Sequence, residues 1–275
     1  MATPKIRNEF SVVGLDIPPR GADADHRMLT GLFIAAPGIF LAAVLRGFTG
    51  FGFGLAAVPL LSLILPPARV VPLVVVLQVI VGAAGLRDAS RLCDWRAIRG
   101  LAPGVILGIP IGIVILTLFA ADTVRLAIGA LIAVSAVFLW RGPRVSRVPS
   151  APVTMAVGMV SGVISGLASM GGPAVVVYLL ALGHGSAVVR ATSIIYFMMS
   201  GSISMGAMLI RGLIDREVLI LSIASVPALL VGTRIGAWGF YRTKPAHHRT
   251  TALVVLGILA VVLILRALLP GGQAD

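Results

Sequence analysis

The chain has 275 residues, 58% of them hydrophobic and only 12% charged, with a mean hydropathy of +1.06. Soluble domains run nearer half apolar and a quarter charged, so this balance argues against a water-soluble enzyme and makes the bilayer the natural solvent. Twenty-two Lys and Arg against ten Asp and Glu leave a net charge of +12, yet these cations fall mostly between apolar segments, where they read as membrane-orienting residues and not as a nucleic-acid surface.

Residues 1–28 are polar and mixed in charge, without the apolar core of a signal peptide, and read as an N-terminal tail. Ten apolar segments follow. Leu29–Leu45, Leu55–Leu65, Val70–Leu86, Leu101–Ala121 and Leu126–Trp140 form a first set; Val153–Ile164, Ala174–Leu182, Ala191–Ile210, Val218–Phe240 and Ala252–Leu269 form a second. Between them, residues 141–152 are a basic linker with Arg141, Arg144 and Arg147 among Pro143, Pro149 and Pro152. A short tail, 270–275, ends the chain. At about 20 residues per crossing, eight crossings take about 160 residues, which leaves no room for a sizeable extramembrane domain. The expected fold is an all-α polytopic transmembrane bundle.

The two sets, 29–140 and 153–269, correspond. At a shift of 119, Gly52 falls on Gly171 and Leu60-Leu61 on Leu179-Leu180; Leu92-Cys93-Asp94 matches Leu213-Ile214-Asp215 at 121. Gly108-x-x-x-Gly112 matches Gly232-x-x-x-Gly236 at 124, where Arg125 meets Arg249. The common order argues for two homologous halves, the usual build of secondary transporters. Each half also carries a glycine-rich break, Arg46-Gly47-Phe48-Thr49-Gly50-Phe51-Gly52-Phe53-Gly54 and Ser165-Gly166-Leu167-Ala168-Ser169-Met170-Gly171-Gly172-Pro173. Glycine costs a helix about 1 kcal/mol per residue relative to alanine, and broken backbone at membrane depth must face protein or a water-lined cavity. Paired breaks at equivalent places point to a transport site.

Gly50-x-Gly52-x-Gly54 is not a dinucleotide loop, because no strand precedes it and no acidic residue follows within thirty positions. Helices starting near Leu55 and Ala174 would still aim backbone NH groups at an anion; the alternative is that these glycines only allow tight packing. Gly104, Gly108 and Gly112, like Gly158, Gly162 and Gly166, recur every fourth residue as helix-packing ridges. All ten carboxylates lie in tails, loops or segment ends, which disfavours an intramembrane proton or sodium site and favours an anionic solute. Arg46 and Arg190 flank the breaks, and their planar forks suit oxyanions, although interfacial anchoring is the competing role. Arg234 sits within the Gly232–Gly236 ridge, where a structural carbonyl contact is as good a reading. Gln78, Thr49, Ser165, Ser169, Tyr178, Thr192 and Ser193 could supplement such a site, though each alone reads as an interhelical hydrogen bond. His26, His184, His247 and His248 all lie in tails or loops, so a Ser–His dyad at depth has no base. The single Cys93 excludes an internal disulfide and a multi-cysteine metal site. No enzyme activity, cofactor or metal is expected.

The first break followed by Val58-Pro59-Leu60-Leu61, the second break with Tyr178-Leu179-Leu180, and Val189-Arg190-Ala191-Thr192 together resemble the sulfite exporter TauE/SafE family of membrane transporters. The resemblance runs from about residue 30 to 269. It implies two homologous transmembrane halves in a prokaryotic plasma membrane and the movement of sulfite, sulfonates or related organosulfur anions. The half-sites are unequal: phenylalanines interrupt the first glycine run, Tyr178 stands opposite Pro59, and Val71-Pro72-Leu73 stands opposite Ala191-Thr192-Ser193.

The expected function is therefore secondary transport of a small anion, with Arg46, Thr49, Gly50, Gly52, Gly54, Ser169, Gly171, Gly172, Tyr178, Arg190 and Thr192 binding it. An anion channel and a non-transporting membrane scaffold are the alternatives. If each broken segment crosses once, one face carries 14 basic residues against six and both termini are cytoplasmic. If each break is a hairpin, the halves are inverted, the split is 9 against 12, and the termini are outside. The first count has the clearer asymmetry, and the short segments beside the breaks keep the second open. Oligomeric state is not legible.

Overall fold

Long apolar runs can satisfy their backbone in lipid only as helices, and every regular element among the described residues is helical. The computed structural model describes residues 35–47, 53–83, 85–141, 150–242, 257–258 and 260–266. In chain order the helices are α1 (Ala35–Gly47), α2 (Phe53–Ser62), α3 (Pro67–Ala83), α4 (Leu86–Leu92), α5 (Trp95–Leu118), α6 (Ala121–Arg141), α7 (Ala151–Ala168), α8 (Gly172–Ala181), α9 (Ser186–Ile210), α10 (Arg216–Arg242) and α11 (260–266). Among the described residues α5, α7, α9 and α10 are long and apolar enough to cross a membrane, and α3 with α4 adds a fifth if the bent pair is taken as one span. α3 covers most of the Val70–Leu86 run, and α4, the charged stretch that starts where the run ends, is turned 72° away from it. The outward faces are apolar, as lipid requires, with Ile106, Leu107 and Ile111 exposed on α5 and Ile223, Leu230 and Val231 on α10.

The glycine ridges decide which helices touch. A methyl group on Gly104 would strike the Met155 carbonyl, on Gly108 the Met159 carbonyl, and on Gly112 the Val163 carbonyl; on Gly158 and Gly166 it would strike the carbonyls of Leu101 and Ile109. The residue numbers rise together, so α5 and α7 run parallel with backbones in direct contact. The same holds for α1 and α10, where Gly47 lies against Thr233, Gly236 and Ala237, and Gly232 against Phe40 and Ala43. Each opening helix thus packs on a ridge from the other side of the basic linker. In lipid, where burial of apolar surface drives nothing, such close packing is a main source of association.

Both short helices fold back. Ser161 Oγ donates to the Gly171 carbonyl at 2.5 Å, and Thr154 Oγ1 is 3.0 Å from Tyr178 Oη. As the α7 number falls the α8 number rises, so α8 returns antiparallel along α7. Gly38, early in α1, faces Leu61, late in α2, and at about 1.5 Å per residue a continuous α1–α2 span would separate them by more than 30 Å. Both pairs are hairpins, the arrangement that the second of the two crossing counts assumes. The turn after α7 uses Ser169 in the left-handed region (φ 54°), a conformation uncommon outside glycine and associated with functional sites.

Polar contacts mark the two ends. At one, Arg69 pairs with Glu217 at 3.4 Å and Arg125 Nε donates to the Ser62 carbonyl at 2.9 Å. At the other, Asp94 accepts from the backbone NH groups of Arg96 (2.9 Å) and Ala97 (3.0 Å), capping α5. The same carboxylate meets His184 Nε2 at 2.7 Å, and the Asp94 NH donates to Thr192 Oγ1 at 2.9 Å. Burial works against the Asp94 carboxylate, but the Ala97 NH, His184 and the Arg96 NH together hold its pKa below the usual aspartate value. These bonds tie the starts of α5 and α9 to one end of the bundle.

Candidate functional site

The two hairpins approach from opposite ends and their tips meet in the interior. A Cβ on Gly54, the second residue of α2, would strike the Ser169 carbonyl and come within 3.3 Å of Gln78 Oε1. Ser169 Oγ in turn donates to Gln78 Oε1 at 3.2 Å. Gln78 is 6% exposed, and its Nε2 points toward Gly201 on α9, 3.7 Å from where a Cβ would stand. The start of α2 and the turn that leads into α8 therefore meet at one buried amide. Each of these helices leaves free NH groups in its first turn, a partial positive charge with no side chain attached.

A chain of hydroxyls continues from the tip. Ser161 Oγ donates to the Gly171 carbonyl, so the Tyr196 hydroxyl, 2.5 Å away, donates to Ser161. One turn along α9, Ser200 Oγ donates to the Phe197 carbonyl at 3.4 Å. On the same stripe of α9, Ser193 and Ser204 have buried hydroxyls without a partner among the described residues. A Cβ on Gly171 would collide with Ser165 and with the Ser161 carbonyl, and one on Gly172 would meet the Phe197 ring. Glycine is needed at 171 because the tip is packed against backbone. The buried polar side chains of the described residues are hydroxyls and this one amide.

The expected site residues separate into groups. Gly54, Ser169, Gly171 and Gly172 come together at the hairpin tips; Thr49, Gly50 and Gly52 lie outside the described residues. Tyr178 bonds Thr154, and Thr192 caps the Asp94 NH, so both sit toward the α5 start and not at the tips. Arg46 is half-buried at the end of α1, and Arg190 is exposed near the start of α9. The two guanidiniums are close enough to repel each other, and neither has a carboxylate partner among the described residues. Arg234 is exposed. Ser161, Tyr196 and Ser200 escaped the sequence reading; for Tyr196 and Ser200 the signal is a hydroxyl recurring every three to four residues along α9, and for Ser161 it is the four-residue spacing to Ser165 on α7.

A family model described as sulfite exporter TauE/SafE matches residues 35–263. A relative named probable sulfite/organosulfonate exporter TauE, from Cupriavidus necator, is 26% identical over 223 residues, covering 78% of this chain and 87% of its own length. No solved structure matches the chain.

Proposed function

This chain belongs to the sulfite exporter TauE/SafE family of membrane transporters, and from that premise we propose that it carries sulfite or a small organosulfonate outward across a prokaryotic plasma membrane. The observation that carries the reading is the meeting of the α2 start with the α7–α8 tip at Gln78. Helix N-termini at the membrane midplane bind anionic groups in transporters built from repeats, and amide and hydroxyl donors suit the oxygens of a sulfur oxyanion. Arg46 and Arg190, mutually repelling and without a carboxylate partner among the described residues, draw an anion toward the α5-start end of the bundle.

Two homologous, oppositely inserted halves account for the geometry. Helices α2 and α8 are both ten residues long, with Phe53 and Gly172 separated by the 119 positions of the sequence correspondence. The exchanged contacts, α1 on α10 and α7 on α5, have the reciprocal form that a pseudo-twofold axis gives. Rocking one half against the other would then open the tips to each side in turn. With hairpin breaks, the face bearing Arg87–Arg99, the linker and Arg242–Arg249 has the larger share of cations and lies in the cytoplasm. A Leu92→Cys variant lacking Cys93 is then labelled by an impermeant maleimide in inside-out vesicles and spared in intact cells; the reverse pattern overturns this orientation.

Purified protein in liposomes should give saturable flux of labelled sulfite or taurine-like sulfonate well above that of sulfate. Absence of flux for every one of these solutes from monodisperse protein would overturn the proposed substrate class. Flux that rises linearly with solute and never saturates would favour a channel.

A further inference from the structure

A cavity of about 610 Å³ lies between the α3–α4 bend and α9, lined by none of the hairpin-tip residues. Its volume is within the range of about 300–1,000 Å³ typical of ligand pockets. One end carries Arg87, Ser90 and Trp95; the walls below are Ile195, Met198 and Met199. Gly85 lies beside Ile194 and Gly82 beside Met198, so the groove descends along α9 from a charged rim over a mainly apolar trough that ends at Ser202.

The rim has the composition of a membrane–water interface. Leu86, Leu92 and Trp95 are exposed beside the exposed cations Arg87, Arg91, Arg96 and Arg99, and Trp with Arg at one level is the pattern of an interfacial belt. The Trp95 indole NH donates to the Ser90 carbonyl at 3.2 Å, which fixes the ring at the mouth. Arg87 has no carboxylate partner among the described residues. Asp88 is exposed on the same turn, and Asp94 is engaged by His184. A cation above an apolar trough complements one molecule with an anionic head and a long apolar tail, and flexible methionine walls adapt to an acyl chain.

We propose that this groove holds one anionic glycerophospholipid of the adjoining leaflet, its phosphate on Arg87 and one acyl chain against Ile195, Met198 and Met199. The site is independent of the transported solute. The test is native mass spectrometry of the detergent-purified protein, titrated with dioleoyl phosphatidylglycerol or with the phosphatidylcholine of the same chains. Wild type should retain the glycerol lipid with a preference of about fivefold, the scale of one guanidinium at an anionic surface. Arg87→Gln should erase the preference, Arg87→Lys should keep most of it, and Met199→Trp should lower retention of both lipids. Arg211→Gln, a matched charge loss at the opposite end, should leave it unchanged. Equal retention of the two lipids by wild type, or an undiminished preference in Arg87→Gln, overturns the proposal. Displacement of the phospholipid by an equimolar long-chain alkanesulfonate would also overturn it, assigning the groove to an amphiphilic solute.

Discussion

Gly108→Ala is expected to destabilise the protein although alanine is the better helix former. The propensity gain is about 1 kcal/mol. Against it, the new methyl would overlap the Met159 carbonyl and stand 2.8 Å from the Val163 nitrogen and 3.1 Å from the Gly162 carbonyl carbon. These are backbone atoms, so no side-chain rotation relieves the clash. Either α5 and α7 separate along three consecutive glycine contacts or the backbone distorts, and overpacking of this kind costs about 1–3 kcal/mol or more. Separation is the worse outcome in lipid, because dispersion between touching backbones is what holds the pair. The clash therefore wins, and Gly108→Leu should yield no folded protein. Gly206→Ala is the matched control: a Cβ there meets nothing within 4 Å, so its melting temperature should equal or exceed wild type. Thermal unfolding of the three purified proteins checks the order. A Gly108→Ala protein melting at or above wild type would show that α5 and α7 do not touch through this ridge.

That ridge was legible in the sequence because a four-residue glycine period has few other uses in an apolar helix. Which partner each ridge meets was not, since the pairing of α5 with α7 is a tertiary fact. The hairpins were harder still. Ten apolar residues after a glycine break look the same whether the chain continues or returns, and the choice is made by Ser169 in its left-handed turn and by the Ser161–Gly171 bond. Charge counting leaned the other way because four cations sit in the N-terminal tail. The bend between α3 and α4 falls at the very end of the Val70–Leu86 run, and α4 is the charged stretch after it, which carries no apolar period to announce a helix. At the site, the glycines announced themselves, whereas Ser161 and Tyr196 did not. A lone hydroxyl in an apolar helix usually bonds its own backbone one turn back, as Ser135, Ser222 and Thr233 do here. Only packing tells the exceptions apart.

Gln78 is where the anion reading is most exposed to test. Its Oε1 accepts from Ser169, and its Nε2 is the one amide donor among the buried side chains of the described residues. A hydrogen bond to a charged group contributes about 1.5–3 kcal/mol, so Gln78→Leu should reduce sulfonate flux by about one to two orders of magnitude. It also leaves the buried Ser169 hydroxyl without its acceptor, so part of the loss could be mere distortion of the tip. Gln78→Glu separates the two effects, because it keeps an acceptor for Ser169 and changes the charge presented to the solute. Burial raises a carboxyl pKa, so the variant is neutral at low pH and turns anionic as pH rises. A sulfonate stays ionised throughout that range. Flux in Gln78→Glu should therefore be near wild type in acid and collapse as pH rises, while wild-type flux of the same sulfonate stays nearly flat. Gln78→Glu flux that is high and pH-independent, together with an unimpaired Gln78→Leu, would mean that the anion passes elsewhere. The meeting of the α2 start with the α7–α8 turn would then be a packing arrangement only.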